Sequence, residues 1–126
     1  SKTQLNLITR VDRSIDPNIK IPSLIIQPFV ENSIKHAFRG IREGEIKIHI
    51  IEDNSCNEFL FVLIEDNGCG KDSSAVQSNE RRSFGIDLIK ERIKLFGGKE
   101  EAVRINHVKT MNRTGTIVEL LIPYKT

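Results

Sequence analysis

The stretch IKIHIIEDNSCNEFLFVLIEDNGCG, residues 46–70, reads as two strands joined directly. Ile46, Ile48 and Ile50 are separated by Lys47 and His49, the period-two pattern of a half-buried strand. Asp53–Asn57 is turn chemistry. Phe59–Ile64 is apolar at both parities, which predicts a central strand covered on its other face too. The same succession returns further on: Glu101–Val108 and Thr116–Ile122 read as strands, with Lys109–Gly115 as their hairpin connection. Direct hairpins argue against an all-parallel doubly wound sheet, because parallel neighbours need a crossover.

Working outward, Asn6–Val11 reads as a strand, followed by the turn residues Asp12, Asp16, Pro17 and Asn18. Ile21 precedes Pro22 and is expected to be extended. From about Ser23 to Phe38 the period becomes helical. Ile26, Val30, Ile34 and Ala37 form one stripe, with Ser33 and Phe38 at its edges. Pro28 suits a first turn and Gly40 a C-terminal cap. Asp66 to about Ser83 is rich in Gly, Ser, Asn and charge, with Ala75 and Val76 as its apolar residues, and predicts a long functional loop. Ile86, Ile89, Ile93 and Phe96 restore a helical stripe, ended by Gly97–Gly98. The expected fold is α+β: a two-layer sandwich, a mixed sheet of about five strands with helices on one face, forming a single domain over residues 1–126.

Composition narrows the function classes. The chain has 126 residues, 38% hydrophobic and 29% charged, which fits a globular domain rather than a disordered tail. Its net charge of +2 gives no reason to expect nucleic acid or an anionic membrane as partner. The apolar run Leu60–Ile64 falls far short of the roughly 18 residues of a membrane span. Cys56 and Cys69 make neither a disulfide framework nor a four-ligand zinc site, so a reduced, cytosolic setting is expected. The chain starts without Met or signal peptide and reads as a piece of something longer.

No Walker-type loop, G-x-G-x-x-G, H-E-x-x-H or G-x-S-x-G occurs. His36, His49 and His107 lack metal-ligand spacing, and the latter two fall on strands and read as structural. Two clusters remain. On the first helix, Asn32, Lys35, His36 and Arg39 share the face opposite the apolar stripe, where amide, ammonium and imidazole can hold magnesium and phosphates. On spacing alone, a solvated face with a Glu31–Lys35 ion pair is the simpler reading. The second cluster, Asp66-Asn67-Gly68-Cys69-Gly70, comes directly after the most apolar strand. A carboxylate there can accept from a ligand's amino group, and the glycines allow close backbone approach; the alternative is a loop with Asn-Gly turn chemistry. At Ser83-Phe84-Gly85 a helix N-terminus is expected to offer N–H groups to phosphate oxygens.

At these residues the chain resembles the ATP-binding catalytic domain of sensor histidine kinases of the LytS-like branch, within the superfamily that includes gyrase and the 90-kDa chaperones. The resemblance runs from about Ile8 to Pro123. Its markers are IPSLIIQPFVENSIKH at Ile21–His36, DNGCG at Asp66–Gly70, SFGIDLIKERI at Ser83–Ile93 and GTIVELLIP at Gly115–Pro123. It implies a Bergerat-type ATP-binding fold, ATP and Mg2+ as ligands, and γ-phosphoryl transfer to a histidine on an upstream dimerisation domain, with residues 1–6 as the link to it. It further implies a response regulator receiver domain as partner, a homodimeric full-length protein and a cytoplasmic domain of a membrane-anchored sensor. By resemblance Asn32 binds magnesium, and Lys35 and His36 lie near the phosphates with Glu31 alongside. Asp66 bonds the adenine amino group, Gly68 and Gly70 border the base, and Thr116 lies near it. Cys69 to about Ser83 matches a flexible lid, with Gly85 where the lid helix begins.

There are departures. Asp87 stands where many family members carry a second glycine, and Lys90 is near the position of a frequent asparagine. The same residues allow two other readings. An ATP-hydrolysing clamp would place a glutamate base one turn before the metal asparagine, where this chain has Pro28. A degenerate domain, binding nucleotide or none and acting through protein contacts, draws its support from Asp87.

Overall fold

The computed structural model describes residues 4–20, 25–52, 59–69 and 76–124, with the backbone alone over 76–85. The chain runs β1 (Gln4–Val11), α1 (Gln27–Asn32), one π-type turn (Ser33–Ala37), β2 (Glu43–Glu52), β3 (Phe59–Asp66), α2 (Val76–Leu95), β4 (Val103–Lys109) and β5 (Thr114–Pro123). Five strands form one mixed sheet in the order β1-β2-β3-β5-β4. β1 and β2 are parallel, so α1 lies in the crossover between them, and the other three pairings are antiparallel. The α+β expectation holds, including both hairpins.

The helices cover one face. Ile25, Phe29 and Phe38 from the α1 region and Ile89 and Ile93 from α2 pack with Ile46, Ile48, Val62, Ile64, Val118, Leu120 and Ile122. Alternate strand residues point to one side, so these sheet positions share a single face. β3 is the middle strand, as its apolar run predicted, but Phe61 and Leu63 on the opposite face are half-buried rather than covered by a second layer. The edge strand β1 is exposed along its length, and Gln4, Leu5 and Asn6, read as linker, are paired strand residues. His49 Nε2 lies 3.1 Å from Asp12 Oδ1, tying the turn after β1 to β2.

Two expectations are corrected. The most buried residues of the α1 region are Ile25, Phe29, Ala37 and Phe38; of the expected stripe, Ala37 is buried and Ile26 and Val30 pack partly buried against the core, whereas Ile34 is 52% exposed. Second, α2 begins at Val76, so the expected loop up to about Ser83 is helical from that point. Residues 83–85 therefore lie inside α2, and Gly85 does not mark a helix start or offer N-terminal N–H groups. The readings at Asp53–Asn57, Ile21–Pro22, Gly70 and residues 71–75 lie outside the described residues.

Candidate functional site

Asp66 ends β3 on the helix-covered side, in phase with Val62 and Ile64. Its Oδ1 accepts the Gly68 N–H at 3.0 Å and the Thr116 N–H at 3.1 Å, and its Oδ2 accepts the Ser33 hydroxyl at 2.9 Å. The donors come from the loop after β3, from β5 and from the π-type turn. Bonds to an ionised acceptor are the stronger kind, so the carboxylate is held firmly in one orientation. Asn67 fastens the same loop to β2: its backbone N–H reaches Glu45 O, its Oδ1 accepts the Glu45 N–H at 2.7 Å, and its Nδ2 donates to Glu43 O at 3.0 Å. The Cys69 N–H donates to Ala37 O at 2.8 Å, closing the loop onto the end of the turn.

That closure leaves no room at Gly68. A Cβ there would meet the Ala37 carbonyl and lie 2.6 Å from the Ala37 Cβ. Gly115, at φ +155°, is as tight, because its Cβ would run into the Asp66 carbonyl oxygen. Gly68→Ala should therefore lower stability by about 1–3 kcal/mol, since backbone rather than a flexible side chain must move. A urea titration checks this; an unchanged midpoint would contradict the close approach.

The resulting cleft is lined by Phe29, Asn32, Ser33 and Ala37, by Asp66 of β3, by Ile86 of α2, by Ile105 and His107 of β4, and by Thr116 and Val118 of β5. Apolar walls with a few convergent polar groups suit a flat heterocycle. Asp66, Thr116 and His107 are direct partners across three strands, and His107 Nδ1 lies 3.1 Å from Thr116 Oγ1.

Of the residues singled out from sequence, the cleft unites Asn32, Asp66 and Thr116, with Gly68 bonded to Asp66. Lys35 and His36 are exposed on the π-type turn and do not line it. Glu31 is exposed and accepts from Gln27 Nε2 at 2.9 Å; no Glu31–Lys35 ion pair forms among the described residues. Asp87 is exposed and also absent from the lining. Sequence reading missed Ser33, Phe29 and His107 as cleft residues. Phe29 and Ser33 were detectable in principle, because with Ile25 and Ala37 they keep a four-residue spacing.

Among the described residues no group of three or more His, Cys, Asp or Glu can hold a metal by itself. A magnesium ion is commonly held by one or two protein oxygens together with substrate phosphates and water. The half-buried Asn32 amide in the cleft wall fits that limited share.

The family described as histidine kinase-, DNA gyrase B- and HSP90-like ATPase matches residues 18–126. The chain is 33% identical over 113 residues to the sensor histidine kinase YesM of Bacillus subtilis, covering 86% of this chain and 18% of that protein. It is 27% identical over 117 residues to the sensor histidine kinase/phosphatase LytS of Staphylococcus aureus, covering 86% and 19%. It thus spans less than a fifth of the length of these relatives. Among solved structures, the histidine kinase domain of the Erythrobacter litoralis EL346 blue-light activated histidine kinase superposes with a TM-score of 0.64 at 22% identity, covering 97% of this chain and 52% of that one. That likeness shows the shared fold.

Proposed function

The chain belongs to the histidine kinase-, DNA gyrase B- and HSP90-like ATPase family, as an ATP-binding catalytic domain of the histidine kinase type, and from that premise we propose that it transfers the γ-phosphoryl group of ATP to a histidine on another domain. The observation that carries this reading is Asp66, locked by three donors in an apolar-walled cleft that also contains Asn32. Asp66 accepts from the adenine amino group, with Gly68 and Gly70 bordering the base and Thr116 beside it. Asn32 would hold magnesium through its amide oxygen, and the ion when bound supplies neutralisation of the charge on the transferring group. Lys35 and His36 act toward the phosphates from the exposed side of the turn, with Glu31 next to Asn32 and Gly85 in the helix beyond the lid segment.

In the transfer, an imidazole nitrogen of the acceptor bonds to the γ-phosphorus as the bond to the β–γ bridging oxygen breaks and ADP leaves. Pro28 in the first turn of α1 offers no base to activate water, which supports transfer over hydrolysis. Asp87 is exposed and lines, with Lys90, a neighbouring pocket that shares Ile86 and Ile105 with the cleft, so it stands beside the candidate site rather than in its lining. The acceptor lies on an upstream dimerisation domain of a homodimer, and a response regulator receiver domain takes the phosphoryl group onward. No helix among the described residues is long and apolar enough to cross a membrane; membrane anchoring belongs to the rest of the sensor.

The test is thermal. ATP with magnesium should raise the melting temperature, since a ligand at about 100 times its Kd that binds only the native state adds about 2.7 kcal/mol. For a domain of this size that is roughly 10 °C. No shift at millimolar nucleotide, with the chain folded, would refute the reading.

A further inference from the structure

We propose that Ser33 is a positioning residue for base recognition: it aims the Asp66 carboxylate and makes that edge of the cleft an acceptor-only surface, matched to an exocyclic amino group. This deepens the nucleotide reading and rests on it.

A carboxylate offers about four acceptor positions. On Asp66, Oδ1 holds two N–H donors, from Gly68 and Thr116, and Oδ2 holds the Ser33 hydroxyl. One position remains, on Oδ2. Asp66 and Ser33 are both half-buried and both line the cleft, so that position belongs to whatever occupies it. Ser33 has given its only proton to Asp66 at 2.9 Å, and its hydroxyl oxygen keeps acceptor capacity. Together they present two neighbouring acceptors and no donor. An amino group donates one N–H to the open position on Oδ2, which the Ser33 bond holds in place. A carbonyl in the same place carries none and would leave buried acceptors facing one another, the situation that produces strong discrimination.

Ser33 has a second claim to this role. Its bond joins residues far apart in sequence, the π-type turn and the end of β3. It therefore sets the position of Asp66 relative to Asn32, the neighbouring residue on the same turn of chain. A purely structural tie between helix and sheet would affect every nucleotide equally. A positioning role acts only through the amino group.

The experiment uses this chain and two magnesium nucleotides in calorimetric titrations: ATP, and purine riboside triphosphate, which lacks the amino group. Ser33→Ala should weaken ATP about five- to tenfold, the worth of one hydrogen bond, and the analogue less than twofold. The preference for ATP therefore shrinks, and Ser33→Thr, which keeps the hydroxyl, should restore it. A thermal melt of each variant confirms folding. Equal weakening of both nucleotides, or an unchanged affinity for ATP, would overturn the positioning role while leaving the nucleotide reading intact. Failure of the wild-type chain to bind either nucleotide would instead sink the reading beneath it, and the inference with it.

Discussion

Asp66→Asn should lower ATP affinity about a hundredfold and turn the base preference toward GTP. The substitution is isosteric. The amide oxygen can keep the Oδ1 position and go on accepting the Gly68 and Thr116 N–H groups, which now hold that atom in place. The amide nitrogen must then take the Oδ2 position, and Ser33 can rotate its hydroxyl to accept instead of donate. The loop stays closed, so a folded protein is expected. What changes is the sign of the remaining position: a donor faces the adenine amino group, and two N–H groups oppose each other in a partly desolvated cleft. Guanine presents a carbonyl at the same place and gains a partner. Titration with ATP and GTP measures both arms, and an ATP affinity equal to wild type would show that Asp66 does not read the base. Asp66→Ala is the coarser variant, because it strands three donors at once and mixes a loss of stability into the loss of binding.

The sheet was legible because a strand's period is short and its signal local. Ile46, Ile48 and Ile50 alternate with Lys47 and His49, and five strands with both hairpins could be placed from such patterns. The stripe of the first helix was read only in part, Ile34 being exposed and Phe29 missed, for a physical reason. Its inward positions are Ile25, Phe29 and Ala37, and the four-residue spacing puts Ser33 among them. A serine there interrupts the apolar row, so the neighbouring set Ile26, Val30 and Ile34 looked more regular. Ser33 is polar where the pattern asks for an apolar residue, and its hydroxyl is bonded to Asp66. The π-type turn over Ser33–Ala37 adds to the error, since i to i+5 bonding shifts the phase of the residues beyond it. Local rules failed here at a residue of the candidate site, as is common where binding overrides patterning. Asp66, Asn32 and Thr116 were found through motif resemblance. Their convergence is tertiary, produced by β3 pairing with β5 and by the turn folding over both. The inclusion of His107 in the cleft depends on the β4–β5 register, which no single-strand pattern encodes.

Asn32→Ala should reduce phosphoryl transfer by at least about a thousandfold while leaving metal-free nucleotide binding nearly unchanged. The residue is half-buried at the junction of α1 and the π-type turn and lines the cleft, and none of the three bonds that orient Asp66 comes from it. Alanine is also the better helix former, so the fold and the base-reading edge should persist. What is lost is the amide oxygen assigned to magnesium. The effect of that loss is greater on transfer than on binding. In the ground state the triphosphate is also held through its base and sugar, whereas charge on the leaving bridging oxygen develops only as the γ-phosphoryl group moves. The two quantities should therefore separate. Titration without magnesium should give similar affinities for wild type and Asn32→Ala, and added magnesium should tighten binding only in the wild type. Transfer is read as acid-labile label on a dimerisation domain carrying the acceptor histidine, mixed with the chain and radiolabelled ATP. Label appearing at the wild-type rate with Asn32→Ala would remove Asn32 from the metal site. The ion would then have to be held by other residues of the chain or by the acceptor domain itself, and the cleft would read the base without organising the phosphates.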